Sequence, residues 1–160
     1  MIRNVFFLGD SLVGKTTIID RYISGDFHDK EPLTVNVSFY VNNLPKTGKT
    51  FSLKIIDSSG QKKFRSFLLS YLHDIDVAVI VYDITNTNSF QNLDSWYNLI
   101  SGHQDLPVFI VGNKADLNEK RKVSTEEGQN YAEQHNFHFI EVSSLTGENI
   151  ESLFSEIANI

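Results

Sequence analysis

The chain has 160 residues, 41% of them hydrophobic and 21% charged, which is ordinary for a single soluble globular domain. Its net charge of −6 argues against a general nucleic-acid binder, because such proteins usually carry a basic face. Without cysteine the chain has no disulfide framework, thiolate metal site or cysteine nucleophile, and no apolar run is long enough to span a bilayer.

Apolar runs of strand length alternate with segments of helical character. Strands are predicted at Ile2–Leu8, Val35–Asn42, Phe51–Asp57, Val77–Tyr82, Val108–Val111 and Phe137–Val142. Helices are predicted at Lys15–Ser24, Ser89–Ser101 and Asn149–Ile157, and a further helix should start at the capping box Ser124–Glu127. The helix at Ser89–Ser101 is expected to turn four side chains inward, those of Phe90, Leu93, Tyr97 and Ile100.

The alternation of strands and helices predicts an α/β fold with a mostly parallel sheet. The second and third strands should form a hairpin through Asn42-Asn43 and Lys46-Thr47-Gly48, which adds one antiparallel edge strand. Ligands of such sheets bind beyond the carboxyl ends of the strands. We therefore expect the functional residues just after four strand ends, at Leu8, Ile56, Val111 and Val142.

The segment after the first strand matches a phosphate-binding pattern. Gly9-Asp10-Ser11-Leu12-Val13-Gly14-Lys15-Thr16 fits G-x-x-x-x-G-K-[ST], in which backbone N–H groups at a helix N-terminus surround a phosphate. Lys15 should reach the β- and γ-phosphate oxygens, and the Thr16 hydroxyl should bind Mg²⁺, which prefers oxygen ligands. The alternative is a glycine-rich turn before an ordinary helix. The strand before the pattern and the helix after it favour the phosphate loop.

A second motif, Asn113-Lys114-Ala115-Asp116, follows the strand at Val108–Val111 and indicates which base is bound. The Asp116 carboxylate can accept hydrogen bonds from N1–H and the 2-amino group of guanine, whereas adenine would leave it unpaired. Lys114 can lie along the base plane, and Asn113 can tie this loop to the phosphate side. Alone, the motif is more often a polar surface loop, but its position after a phosphate loop favours guanine binding.

With these two motifs the whole chain resembles a Ras-superfamily small GTPase, most nearly the Rab branch. The resemblance is carried by Gly9-Asp10-Ser11, Phe64-Arg65-Ser66-Phe67, Val81-Tyr82-Asp83-Ile84-Thr85 with Ser89-Phe90, and Ser143-Ser144-Leu145-Thr146-Gly147-Glu148-Asn149. It implies the three-layer P-loop NTPase (Ras-like) fold, with a six-stranded mostly parallel sheet, one antiparallel edge strand and helices on both faces. It also implies one domain over residues 1–160 without a C-terminal tail.

The resemblance also assigns residues to the nucleotide, the metal and the reaction. It places around the nucleotide Ser11, Leu12, Val13, Gly14, Lys15, Thr16, Thr17, Phe27, Thr34, Gly60, Asn113, Lys114, Asp116, Leu117, Ser143, Ser144 and Leu145. Magnesium would be held by Thr16, Thr34 and, through a water, Asp57. The residues assigned to hydrolysis are Gln61, which would orient the attacking water, with Lys15, Thr34 and Gly60.

Three of these assignments have simpler alternatives that the residues alone leave open. Phe27 can instead anchor its loop in the core, Thr34 can be an ordinary loop threonine, and Gln61 can be a surface polar residue.

The implied function is a switch that binds GTP with Mg²⁺ and hydrolyses it slowly to GDP, since no arginine lies within residues 27–33 to assist. The chain departs from the Rab pattern at several positions, among them Leu12, Ser59, Lys62 and Leu145. These departures leave open a protein that binds GTP or GDP with little hydrolysis and acts as a scaffold or slow switch. A P-loop kinase or ATPase is a third interpretation, which Asp116 disfavours.

The same resemblance implies partners and a location. Expected partners are the guanine nucleotide and, through the switch regions, an exchange factor, a GTPase-activating protein and effectors, with vesicle or membrane traffic as the process served. We expect a cytoplasmic monomer that binds no nucleic acid. It would reach endomembranes as a peripheral protein only if a lipidated tail follows Ile160.

Overall fold

The computed structural model describes residues 2–28, 37–46, 49–103 and 105–160. Within them six strands form one sheet: β1 (Ile2–Leu8), β2 (Val37–Lys46), β3 (Lys49–Ser58), β4 (Val77–Asp83), β5 (Val108–Asn113) and β6 (His138–Glu141). The same residues contain six α-helices: α1 (Lys15–Ser24), α2 (Arg65–Leu68), α3 (Thr87–Gln91), α4 (Leu93–Tyr97), α5 (Thr125–His135) and α6 (Ile150–Asn159). Segments of 3₁₀ helix lie at Lys62–Phe64, Leu69–Asp74 and Ala115–Lys120.

The strand order across the sheet is β2-β3-β1-β4-β5-β6. β2 runs antiparallel to β3 at one edge, and every other neighbouring pair is parallel. This arrangement confirms the predicted six-stranded sheet with one antiparallel edge strand. Because the parallel strands all point the same way, the loops that follow β1, β3, β5 and β6 meet at a single edge of the sheet.

Alternating side chains along β1 divide the interior into two cores. Val5 and Phe7 face a core that includes Ile18 of α1 and Phe154 of α6, while neighbouring β1 residues face the core that contains Trp96 of α4. The helices therefore cover both faces of the sheet, as the fold class predicts. Among the described residues, none of the helices combines the length and apolar character that crossing a bilayer requires.

The hairpin between β2 and β3 is confirmed, but two of the residues predicted to connect the strands, Asn42 and Asn43, belong to β2. Asn42 and Asn43 pair with Leu53 and Ser52 as strand residues, and the pairing continues to Lys46 opposite Lys49. Turn-favouring asparagines are thus accommodated inside a strand, because tertiary pairing overrides local preference. The predicted turn residues Thr47 and Gly48, like Val35 at the start of the predicted strand, lie outside the described residues.

The single helix predicted at Ser89–Ser101 is wrong, because two short helices, α3 and α4, occupy this part of the chain. The first begins at Thr87, since the Asn86 side chain accepts from the Ser89 N–H and caps the helix. The segment leaves the helical state after Tyr97. Leu93 and Ile100 are buried as predicted and Phe90 and Tyr97 partly so, but the large buried side chain is Trp96, which the prediction omitted.

Candidate functional site

The polar motifs converge at the sheet edge where the parallel strands end, as the topology predicts. Asp57 is the second-last residue of β3 and Asn113 the last residue of β5, so both lie inside their strands and not just after them as expected. The phosphate-loop pattern follows β1 directly, and Ser143 lies two residues beyond β6. One site is therefore assembled from four separate stretches of the chain.

The phosphate loop depends on glycine at both ends. Gly9 has φ 138° and lies so close to the Val81 carbonyl that a Cβ would overlap it. Gly14, at φ 96°, caps the start of α1, and a Cβ there would overlap Nδ2 of Asn113. Both positions need the backbone freedom and the small volume of glycine, so the loop can approach a ligand with its backbone N–H groups.

Leu12 is the unusual residue of this loop. It has φ 66°, in the left-handed region, and its side chain is 72% exposed. A branched side chain in that region costs on the order of 1–2 kcal/mol, and strain of this kind is concentrated at functional sites. Leu12, where the chain departs from the Rab pattern, therefore exposes its bulky side chain to solvent and does not pack into the core.

Lys15 is a buried cation on the inner side of the loop. Its Nζ donates to the carbonyl oxygens of Gly9 at 2.9 Å and Asp10 at 2.8 Å. Burial lowers the pKa of Lys15 to about 8, although the carboxylates of Asp57 and Asp10 act against this and raise it. A polyanionic ligand favours the charged ammonium, so phosphate binding and protonation of Lys15 support each other.

Thr16 and Asp57 come together at the start of α1. The Thr16 hydroxyl donates to a carboxylate oxygen of Asp57, which is fully buried at the end of β3. A hydroxyl and a carboxylate are oxygen ligands of the type that Mg²⁺ takes, and the cation would offset the cost of burying that carboxylate. These residues therefore fit the predicted magnesium site. Thr34, the third predicted ligand, lies outside the described residues.

Gly60 lies against the phosphate loop shortly after β3, and Gln61 is the residue that follows it. A Cβ built on Gly60 would overlap the backbone of Asp10 and Ser11, so the chain passes directly over the loop. The hydroxyl of the buried Ser59 accepts from the Gln61 N–H at 3.3 Å. Gln61 itself is half-buried, and its role in positioning the attacking water stays a prediction.

Asn113 joins the base motif to the phosphate loop. Its amide donates to the Val13 carbonyl at 2.9 Å, and its side-chain oxygen accepts from the Ser144 N–H at 3.3 Å. Lys114, at φ 67°, donates to the Leu12 carbonyl at 2.9 Å and pairs with the Asp83 carboxylate at 2.7 Å. Two consecutive residues thus bridge the two halves of the site, as expected for Asn113.

Asp116 is exposed beyond these bridges, with one carboxylate oxygen held by the Ser143 hydroxyl at 2.6 Å. Ser143 is buried, so it holds this carboxylate in place. Bonded to one donor and otherwise open to solvent, the carboxylate has capacity to accept from a ligand. This is the arrangement that recognition of two adjacent N–H groups requires.

The remaining predicted nucleotide residues lie around this edge with different exposures. The Thr17 hydroxyl donates to the Gly14 carbonyl at 2.8 Å, and its oxygen lies 3.1 Å from that of the Ser144 hydroxyl. Val13 is buried, Ser11, Phe27 and Leu117 are half-buried, and Leu145 is 49% exposed. The packing of Phe27 against the base remains a prediction.

Two further side chains support the site and were not predicted. The Arg21 guanidinium on α1 donates to the carbonyls of Leu145 and Thr146 at 3.4 and 3.2 Å, and so braces the loop that holds Ser144. Asp83, which pairs with Lys114, belongs to a stretch that carries the Rab resemblance, but the sequence assigns it no role at the site. No local pattern marks Arg21, because its acceptors lie more than a hundred residues away in the sequence.

The fold and the site together are those of a small α/β protein of the P-loop nucleotide-binding class. Residues 4–160 match the sequence model of the Ras family. The chain is 34% identical over 162 residues to "Ras-related protein SEC4" of Candida albicans, and to the protein of that name in Candida albicans strain WO-1. Each alignment covers 100% of this chain and 77% of the relative.

The chain therefore belongs to the Ras family. Members of this family are small GTPases that use GTP and GDP with Mg²⁺ and act as switches read by other proteins. The assignment confirms the resemblance inferred from the sequence, including its nearness to the Rab-like branch.

Gly60→Ala is expected to lower the unassisted rate of GTP hydrolysis by about tenfold or more. The added Cβ would overlap the Asp10–Ser11 backbone and push the segment that carries Gln61 off the loop, and small misplacements cost much catalysis. Single-turnover hydrolysis of labelled GTP measures the effect. Gly102→Ala is the matched control, because among the described residues nothing lies within 4 Å of a Cβ at Gly102. Equal rates in the two variants would contradict the expected role of the Gly60 contact.

Proposed function

We propose that this protein is a molecular switch that binds GTP with Mg²⁺ and hydrolyses it slowly to GDP and phosphate. The observation that carries the proposal is the pair of bonds through Asn113, which link the segment that carries Asp116 to the phosphate loop on one side and to the Ser144 loop on the other. A base site and a triphosphate site held rigidly together fit one guanine nucleotide. Membership of the Ras family supports the same function.

The residues divide the work as follows. Lys15 and the loop N–H groups neutralise negative charge on the phosphates, and Asp116 accepts from the guanine edge. Magnesium, when bound, supplies further positive charge at the phosphates, and Thr16, Thr34 and Asp57 would hold it. Gln61 orients the water that attacks the γ-phosphate. Loss of that phosphate releases the segments of Thr34 and Gly60, which makes the reaction a switch.

Slow turnover is expected because no arginine within residues 27–33 can stabilise the transition state from the same chain. Unassisted small GTPases hydrolyse GTP at about 10⁻⁴ s⁻¹, and an arginine supplied by an activating protein accelerates the reaction greatly. We expect a rate of this order, measured as single-turnover hydrolysis. A rate near one per second without a partner would overturn the proposal of a slow switch.

Gln61→Leu is expected to reduce that unassisted rate by about tenfold or more, since leucine cannot position the attacking water. Gln91→Leu is the matched control, because Gln91 is exposed at the end of α3. GDP affinity should be the same in both variants. A rate unchanged by Gln61→Leu would show that this glutamine does not act in hydrolysis.

That outcome would favour the second candidate function, a GTP- or GDP-binding scaffold or slowly cycling switch with little hydrolysis. The observation behind it is the bond from the Gln61 N–H to the buried Ser59 hydroxyl, at a position that departs from the Rab pattern. This bond restrains the backbone next to Gln61 and so bears directly on its freedom to reach the water. The comparison of the two glutamine variants separates the candidates.

Regulators and effectors would bind at an exposed apolar surface that follows the segments of Thr34 and Gly60 in the chain. It is formed on β2 and on residues 64–74 by Phe39, Val41, Phe67, Leu69 and Tyr71, each of them more than a third exposed. Phe39 and Tyr71 contact edge to face at 5.7 Å, and the Lys54 ammonium lies 5.5 Å from the Phe39 ring. Contiguous exposed apolar side chains are typical of protein-binding surfaces.

We propose, further, that the protein is a monomeric single G domain over residues 1–160, in the cytoplasm, and regulates vesicle or membrane traffic as a Rab-like protein. Its partners would be an exchange factor, a GTPase-activating protein and effectors, and nucleic acid would not be among them. The family match over residues 4–160 and the likeness to SEC4 support this. Peripheral contact with endomembranes would require a lipidated segment beyond Ile160.

A further inference from the structure

The phosphate loop is attached to α4 by a buried tryptophan. Trp96, the one tryptophan of the sequence, donates from Nε1 to a carboxylate oxygen of Asp10 at 2.7 Å. The amide of Asn92 donates to the other Asp10 oxygen at 2.6 Å. Both oxygens of a phosphate-loop carboxylate thus receive charge-assisted hydrogen bonds from this part of the chain, which fixes the ring of Trp96 relative to the loop.

The face of the same ring carries a cation from the segment after Gln61. The guanidinium carbon of Arg65 lies 3.9 Å from the centroid of the Trp96 ring, at cation–π distance. Its Nη1 also donates to the Ser95 hydroxyl. Arg65 opens α2, four residues after Gln61, so the chain Asp10–Trp96–Arg65 joins the phosphate loop to the segment that carries the proposed water-positioning residue.

The two ends of this Asp10–Trp96–Arg65 link differ in strength. Asp10 is hydrogen-bonded through both oxygens, whereas Nε and Nη2 of Arg65 are buried and have no hydrogen-bond partner among the described residues. At the arginine end one guanidinium nitrogen donates to Ser95 and the stacking on Trp96 adds to it, so fewer hydrogen bonds hold this end than the carboxylate end. If the link opens, it opens between Arg65 and Trp96, and the ring stays with the loop.

We propose that Arg65 is a positioning residue that holds the Gln61 segment at the phosphate loop by stacking on Trp96, and that this contact changes with the bound nucleotide. The inference rests on the proposed function, because it names the device by which the same site would arrange Gln61. It assigns Trp96 a second property, since the fluorescence of an indole fixed to the loop reports whether the Arg65 guanidinium is stacked on it.

The first test uses the full chain loaded with GDP or with a non-hydrolysable GTP analogue. Excitation at the red edge of indole absorption isolates Trp96 from the six tyrosines. The unmodified protein should emit differently in the two states, and Arg65→Ala should abolish the difference. Lys62→Ala is the control, since it removes an exposed cation from the same segment and should keep the difference. A difference that survives in Arg65→Ala, or none in the unmodified protein, would overturn the proposal.

The second test separates positioning from packing. Arg65→Ala should lower the unassisted rate of GTP hydrolysis on the order of tenfold with GDP affinity unchanged, because the stacked cation is lost while the loop remains. Arg65→Lys keeps the positive charge and perturbs the fold less than alanine does, so it should recover part of the rate of hydrolysis. Rates for both variants equal to that of Lys62→Ala would overturn the role of Arg65.

The two proposals fail in different ways. If the unmodified protein binds no guanine nucleotide, measured directly with labelled GDP, the proposed function fails and the Arg65 inference fails with it. If nucleotide binds and is hydrolysed but neither the Trp96 signal nor the rate depends on Arg65, the Arg65 inference alone fails.

Discussion

Asp116→Asn is expected to lower the affinity for GTP and GDP by about 10³-fold or more and to raise the affinity for xanthine nucleotides. A site built to pair with N–H groups rejects a mismatched edge strongly, because its polar groups are left unpaired or opposed. Asparagine replaces one acceptor oxygen by an NH₂ donor, which clashes with guanine N–H groups and suits the carbonyl oxygen of xanthine. Competition between GTP and XTP for labelled GDP measures both effects.

The geometry around Asp116 makes this a clean substitution. Asparagine keeps the size of the side chain and still offers an oxygen to the Ser143 hydroxyl, which now lies 2.6 Å from the carboxylate. Glu119→Gln is the control, because it removes an exposed carboxylate from the same 3₁₀ segment. An Asp116→Asn variant with unaltered base preference would revive the P-loop kinase or ATPase interpretation.

Lys15→Met is expected to weaken GDP and GTP binding by about 10²- to 10⁴-fold. The change would remove the two charge-assisted hydrogen bonds that Lys15 is expected to make to phosphate oxygens, each worth about 1.5–3 kcal/mol, and tenfold in affinity corresponds to about 1.4 kcal/mol. It also leaves the carboxylates of Asp57 and Asp10 without their shared cation at the bottom of the loop. Equilibrium binding of a labelled nucleotide checks the loss.

Methionine keeps most of the apolar volume of the buried Lys15 stem, so the fold should survive the change. Lys122→Met tests whether the loss of one positive charge is by itself enough to weaken nucleotide binding. Lys122 suits this control because it is exposed and lies after the Asn113–Asp116 motif. We expect its nucleotide affinity to match that of the unmodified protein. A Lys15→Met variant that also binds normally would remove the phosphate-loop interpretation.

Most of the fold could be predicted from the sequence because burial leaves a local pattern. Continuous apolar runs such as Val77–Tyr82 mark strands covered on both faces, and the Ser124–Glu127 capping box fixes the start of α5. Errors came where tertiary contacts overrule that pattern. Asn42 and Asn43 favour a turn yet pair in β2, and the region of Trp96 divides into two short helices instead of one.

The candidate site divides in the same way. Gly9, Lys15 and Asp116 could be predicted from the sequence, because each belongs to a motif of fixed spacing that lies on one loop after one strand. Residues that act between loops leave no such signal. The bond between Asp10 and Trp96 and the bond between Arg21 and the Leu145 carbonyl each join residues more than eighty positions apart in the sequence.

By itself the sequence determined the order of strands and helices, the phosphate loop and the guanine motif, because backbone conformation and hydrogen-bonding chemistry act over a few neighbouring residues. Only the tertiary structure decided how these pieces are joined: that Asn113 ties the two loops, that Gly60 lies on the phosphate loop, and that Arg65 stacks on the ring held by Asp10. The physical reason is that such contacts exist only after the sheet has brought distant strand ends to one edge.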